Sequence, residues 1–212
     1  MNNQETKVFI IDDDKEIRES ISLLLKSAGY KTESFPGTEQ FLETNNHNCA
    51  GCILLDVFLE GKTGLELQEE IDTKFECLPI IFITGRGNIP MSVNGMKKGA
   101  LNFLQKPIDE RDLFNAIEEA LNRSKELLTK QNEIEKFKSL VNSFTAREYE
   151  IFRYIITGTL NKQIAAELGI AEHTVKNHRL KITGKLGVKS AVEMVYIAEK
   201  LNIKGAIVNN HS

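Results

Sequence analysis

The chain has 212 residues, of which 41% are hydrophobic and 27% charged, and its net charge is −3. That is the composition of one or two globular domains rather than of a disordered or fibrous chain. No apolar stretch approaches the ~20 residues that a membrane span requires. The first residues, Met-Asn-Asn-Gln-Glu-Thr-Lys, carry no apolar leader. A cytoplasmic protein without a membrane partner is expected.

Taken in chain order, Val8-Phe9-Ile10-Ile11 runs into Asp12-Asp13-Asp14. Ile17, Ile21, Leu24, Leu25 and Ala28 follow at helical spacing, and Gly29 stops that helix. Lys31–Phe35 alternates as a second strand, and Phe41-Leu42 marks a short second helix. Cys52-Ile53-Leu54-Leu55 ends at Asp56, and Leu65, Leu67 and Ile71 form the next helix. Pro79-Ile80-Ile81-Phe82-Ile83 ends at Thr84-Gly85, with Met91, Val93 and Met96 on a fourth helix. Leu101-Asn102-Phe103-Leu104 leads through Gln105 to Lys106-Pro107, and Leu113, Ile117 and Leu121 lie on a fifth helix. Short continuous apolar runs alternating with helical patterns predict five βα units and a doubly wound parallel sheet. In such a sheet the C-terminal strand ends share one edge, where ligands bind.

From Arg111 to Asn142 there is no Gly or Pro. Leu113, Ala120, Leu127, Ile134 and Val141 recur every seven residues, but the companion seam holds Ser124, Gln131 and Lys138. This predicts a long linker helix, either a solvated spacer or a weak pairing surface for a second copy. The domain boundaries expected are 1–122, a linker over 123–143, and 144–212. The last stretch reads as four short helices. Thr145-Ala146-Arg147-Glu148 is a capping-box pattern, Gly158, Gly169 and Gly187 close successive helices, and Ser190 caps the fourth. Two of them, joined by a Gly turn, form a helix-turn-helix. From Thr145 onward ten Lys/Arg stand against six Asp/Glu, so this part carries +4 and the rest −7. A basic half joined to an acidic one predicts a polyanion partner.

Cys49, Cys52 and Cys77, with His47 nearby, allow a small metal or redox site, but a lone CxxC fits reduced thiols better. The strand-end residues carry more information. Three carboxylates, a hydroxyl and an ammonium suit a hard cation and a phosphoryl group. A carboxylate can accept that group as an acyl phosphate. On the third predicted helix, Val175, Ile182 and Leu186 point inward while His173, Lys176, Asn177, Leu180 and Lys181 point outward. The stretch from His173 to Leu186 also holds Arg179 and Lys185 and no acid.

The residues Val8–Asp14, Leu54-Leu55-Asp56, Thr84-Gly85 and Lys106-Pro107 resemble the receiver domain of two-component response regulators. Asn161–Ala165, Thr174–His178 and Lys185–Val188 resemble the LuxR/NarL-type helix-turn-helix. Together they look like a FixJ/NarL-class regulator, and Ile81–Gly85 with Ile89-Pro90-Met91 leans to the FixJ side. The resemblance implies an α/β flavodoxin-like receiver with a five-stranded parallel sheet, plus an all-α four-helix DNA-binding domain. It implies that Asp56 accepts a phosphoryl group from a sensor histidine kinase, with Mg2+ held by Asp12, Asp13, Asp56 and the backbone carbonyl of Phe58. Thr84 and Lys106 would bind the phosphoryl oxygens, with Thr84 and Phe103 as the switch pair. Lys176, Asn177 and Leu180 would face base edges, and Thr174, Arg179 and Lys181 phosphates. The implied partners are the cognate kinase, promoter DNA, a second copy upon phosphorylation, and RNA polymerase. No turnover chemistry is implied.

The chain departs from the family at Leu59-Glu60-Gly61, where a Met-Pro-Gly loop is usual, and at Ala171, where Ser usually caps the recognition helix. Phe58 and Arg86 stand where access of water to the acyl phosphate is tuned. His178 is expected to be packed and hydrogen-bonded. Two alternatives remain. Haloacid-dehalogenase-like phosphatases use a similar residue set, but their nucleophile and acid follow the first strand together. A DNA-binding regulator with a phosphorylation-independent receiver would need no acceptor.

Overall fold

The computed structural model describes residues 6–44, 49–59, 64, 68, 71, 75–85 and 95–206, which form two units, residues 1–129 and 130–212. In the first unit the strands β1 (Lys7–Ile11), β2 (Lys31–Phe35), β3 (Gly51–Asp56), β4 (Ile80–Thr84) and β5 (Asn102–Gln105) form one sheet. All pairings are parallel and the order is β2-β1-β3-β4-β5. This is the flavodoxin-like order. Every residue of β3 and β4 is buried, because helices cover both faces of a parallel sheet.

Side chains alternate between two apolar layers. Val8, Ile10, Cys52, Leu54, Ile81 and Ile83 pack with Ile21 and Leu25 of α1 (Lys15–Ser27) and with Leu113 and Ile117 of α3 (Glu110–Asn142). Phe9, Ile11, Ile53, Leu55, Ile80 and Phe82 pack with Phe41 of α2 (Thr38–Glu43). Gly64, Gln68 and Ile71 are helical and buried at spacings of four and three, which puts them on one helix face. Leu65, Leu67, Met91 and Val93 lie outside the described residues; Met96 is helical but 47% exposed.

The sevenfold repeat of α3 contributes to two separate cores. Leu113 and Ala120 belong to the sheet core and Val141 to the core of the second unit, with Leu127 and Ile134 half-buried between. Ser124, out of place in an apolar seam, is fully buried: its hydroxyl accepts from Gly51 N at 2.9 Å and donates to Cys77 O at 2.5 Å. The division between the units falls inside the 123–143 stretch.

The second unit packs α4 (Ala146–Ile155), α5 (Asn161–Glu167), α6 (Glu172–Leu186) and α7 (Ala191–Lys200) around Ile151, Phe152, Ile164, Val175, Ile182 and Ile197. The capping box forms: Thr145 Oγ1 accepts from Glu148 N, and Glu148 Oε2 accepts from Thr145 N at 2.8 Å. Gly158, Gly169 and Gly187 take left-handed φ of 77°, 61° and 67°, which favours glycine where these helices turn.

Candidate functional site

The register of the sheet assembles the first site. Lys7 pairs Gly51 and Ile11 pairs Leu55, so Asp12 and Asp56 leave adjacent strands side by side. Both are buried, at 2% and 5% exposure. Lys106 follows β5, and its stem reaches past the end of β4. Its Nζ donates to Asp12 Oδ2 and Asp56 Oδ1, each at 2.8 Å. Its backbone N donates to Thr84 O at 2.7 Å, which ties the end of β5 to that of β4. The Lys106–Pro107 peptide is cis.

The remaining carboxylate oxygens are also held. Asp12 Oδ1 accepts from Asp14 N at 2.9 Å, and Asp56 Oδ2 from Phe58 N at 2.7 Å. Arg18 donates to the Asp12 carbonyl. Asp14 caps α1 through Glu16 N and Ile17 N. The third acid of the Asp12-Asp13-Asp14 run is therefore a helix cap, a role its place before an amphipathic helix signals. Gly64 N donates to Val57 O, and a Cβ on Gly64 would lie 2.6 Å from the Asp56 carbonyl, so this approach demands glycine.

Burial pushes the Asp56 carboxyl above its usual range, against the opposing pull of Lys106. Burial would also lower the Lys106 ammonium, but the two carboxylates outweigh it and the pKa rises. Two buried carboxylates against one ammonium leave one negative charge over. With oxygen as the sole donor atom, this set fits a hard divalent cation. Asp13, however, is exposed, and no three Asp, Glu, His or Cys side chains converge into a metal site among the described residues. The structure thus joins Asp12, Asp56 and Lys106 and leaves Asp13 outside.

Thr84 is fully buried at the end of β4. Phe103 is half-buried and lies 5.8 Å from the Phe82 ring, tilted by 46°. Phe58 is 43% exposed beside Asp56, and Leu59 packs against the core. Arg86, His47, Glu60, Gly61 and Ile89–Met91 lie outside the described residues. The cysteines are free thiols. Burial pushes Cys52 up to about 12 and raises Cys49 and Cys77, so none gains thiolate character.

The second site is the outer face of α6. Val175, Ile182 and Leu186 are buried, whereas Lys176, Asn177, Leu180 and Lys181 are exposed and Thr174 is half-buried. Ala171 provides no side-chain cap. Arg179 is half-buried; one guanidinium nitrogen donates to Asn161 Oδ1 at 2.6 Å, linking α6 to the start of α5. Burial lowers its pKa. His178 is half-buried, but its Nδ1 has no hydrogen-bond partner among the described residues, contrary to the bonded histidine expected. Lys185 leaves the cationic face and turns inward. Its Nζ donates to Glu148 Oε2 at 2.6 Å and to Ser143 O at 2.8 Å. The Glu148 carboxyl, held by Lys185 and by Thr145 N, is lowered to about 2. Nothing in the spacing of Lys185 separated it from the outward cations, because its partner lies 37 residues away.

Each unit matches a known protein family. Residues 8–118 match the response regulator receiver domain family, and residues 142–198 the luxR family of bacterial regulatory proteins. Response regulator protein TmoT of Ectopseudomonas mendocina is 38% identical over 95% of this chain and 91% of its own length. Transcriptional regulatory protein FixJ of Azorhizobium caulinodans is 33% identical over 90% of each. Among solved structures, response regulator StyR superposes with a TM-score of 0.78 at 42% identity, covering 92% of this chain and 99% of that one. Full-length FixJ from B. japonicum gives 0.55 at 30% identity, covering 96% and 99%. No described helix is long and apolar enough to cross a membrane.

Proposed function

The chain belongs to the response regulators that join a receiver domain to a luxR-family DNA-binding domain, and on that premise we propose that Asp56 is its phosphoacceptor. It is a transcriptional regulator, and its partners are a sensor kinase and DNA. The observation that carries the assignment is Lys106 Nζ, 2.8 Å from both Asp12 and Asp56.

Asp56 attacks the phosphorus of a phosphohistidine on the kinase. The P–N bond breaks, an acyl phosphate forms on Asp56, and the histidine nitrogen leaves. Lys106 neutralises phosphoryl oxygens, and Thr84 donates to one, with Thr84 and Phe103 moving together as the switch pair. Asp12, Asp13, Asp56 and the Phe58 carbonyl would hold Mg2+, which supplies charge neutralisation on the transferring group. Lys106, which bridges Asp12 and Asp56 at 2.8 Å, would share this edge with the phosphoryl group. Phe58 and Arg86 govern the access of water and so the lifetime of the phosphate. The chain turns over no substrate beyond its own aspartyl phosphate.

In the second unit, Lys176, Asn177 and Leu180 face base edges in the major groove, while Thr174 and Lys181 contact phosphates. Arg179 contributes to phosphate binding with the nitrogens that Asn161 leaves open. Phosphorylation favours a homodimer in the cytoplasm, which gains from two linked DNA contacts and presents RNA polymerase with a bound regulator. Residues 1–122, 123–143 and 144–212 act as receiver, linker and DNA-binding domain.

The test is DNA binding and oligomeric state of the full chain, with and without Mg2+ and an acyl-phosphate donor, for native protein and Asp56→Asn. Tighter binding and dimerisation of the native protein alone are expected. Equal responses of the two would favour a phosphorylation-independent receiver.

A further inference from the structure

On the outer face of α6 one residue does not fit a purely electrostatic contact. Leu180 is 71% exposed, one turn after Lys176 and Asn177 and next to Lys181. Its backbone is settled: Thr183 Oγ1 donates back to the Leu180 carbonyl at 2.9 Å, and Val175 and Ile182 anchor the opposite face. The isobutyl group therefore stands out from a rigid helix, flanked by cations that draw it to a polyanion. Major-groove edges present one apolar feature, the C5-methyl of thymine.

We propose that Leu180 reads sequence by packing on a thymine C5-methyl group, so that each half-site carries a thymine opposite this residue. This rests on the assignment of α6 as the DNA-facing helix. Asn177, three residues earlier, is placed to read a neighbouring base, since its amide pairs with the N6 and N7 edge of adenine. Lys176, restrained by Glu172 at 3.1 Å, stands beside Asn177 on the base-facing side, whereas Lys181 supplies attraction that is blind to sequence.

The experiment uses the full chain, treated with Mg2+ and an acyl-phosphate donor, and the duplex recovered by selection from random DNA. Each thymine is replaced in turn by uracil, which removes only the methyl. At one position per half-site the native protein should lose about fourfold in affinity, the factor for burying one methyl-sized group. L180A should bind the thymine duplex more weakly and show no thymine–uracil difference there. K181A should weaken binding to every duplex while keeping that ratio. Because the ratio is internal to each variant, partial unfolding leaves it unchanged. A native protein indifferent to uracil everywhere, or an L180A variant that keeps the full ratio, would overturn the thymine contact while leaving α6 as the DNA-binding helix. If no duplex is enriched, or K176A and K181A bind as tightly as the native chain, both that assignment and this inference fall.

Discussion

At the carboxyl edge of the sheet, Asp12 and Asp56 are nearly excluded from water and share one ammonium, whereas on α6 Lys176, Asn177 and Lys181 stand exposed along one helix face. The first arrangement concentrates opposite charges on a few atoms, where low dielectric strengthens each contact and leaves one position for a transferring group. The second spreads like charges over a surface, where each cation displaces counterions from a polyanion nearly independently of its neighbours. Substitutions at the sheet edge should therefore act together and strongly, and those on α6 singly and mildly.

The largest effect is expected from Asp56→Asn, which should abolish incorporation of a phosphoryl group from an acyl-phosphate donor, read by intact-protein mass. Label remaining on the variant would move the acceptor elsewhere. Next is Lys106→Met, which leaves two buried carboxylates facing each other. In Mg2+-free buffer it should lower stability by about 3 kcal/mol, measured by urea denaturation of the first transition, and Mg2+ should restore part of the loss. A loss like that of an exposed lysine would erase the contrast between the two regions.

Lys185→Met tests a buried pair inside the otherwise exposed basic unit. Glu148 binds its proton more weakly in the folded chain, about 2, than its ordinary 4.5. Its contribution is therefore complete above pH 4.5 and fades as pH falls towards about 2. The native second unit should lose stability across that window; the variant should start about 2 kcal/mol lower at neutral pH and change less in acid. Parallel acid profiles would deny the pairing. Ala171→Ser should supply the missing cap of α6 and raise the stability of the second unit by about 1 kcal/mol, with phosphate incorporation unchanged. The smallest effect belongs to Lys181→Ala, which should reduce the slope of log K against log salt by about 1. A slope change of several units would mean that the α6 cations act together as the sheet-edge charges do.

Much of this was legible along the chain. Strands buried on both faces are continuous apolar runs, so the strand ends and their acid, hydroxyl and lysine residues could be aligned without coordinates. Ser190 and Thr145 announced their helices because a cap is a local hydrogen bond. The contacts of three residues were not legible. Ser124 bonds residues 73 and 47 positions away, Lys185 bonds Glu148 37 positions away, and Arg179 bonds Asn161 18 positions away. The heptad of α3 was ambiguous for a related reason: a sevenfold apolar repeat records burial, not what does the burying, and Leu113 and Ala120 pack in one core while Val141 packs in the other. Asp13 and Asp14 look alike in sequence and are both exposed, yet it is Asp14 that caps α1.

The sequence by itself determined the order of elements, the two-unit plan and the residue types at each strand end, because periodicity and capping are local properties. Only the tertiary structure decided which charges meet. The parallel register sets Asp12 beside Asp56, Lys106 after β5 reaches both, and packing of α4 against α6 draws Lys185 inward while Lys176 and Lys181 stay in solvent. Whether a lysine becomes part of a buried ion pair or of an exposed binding face depends on what the fold brings opposite it.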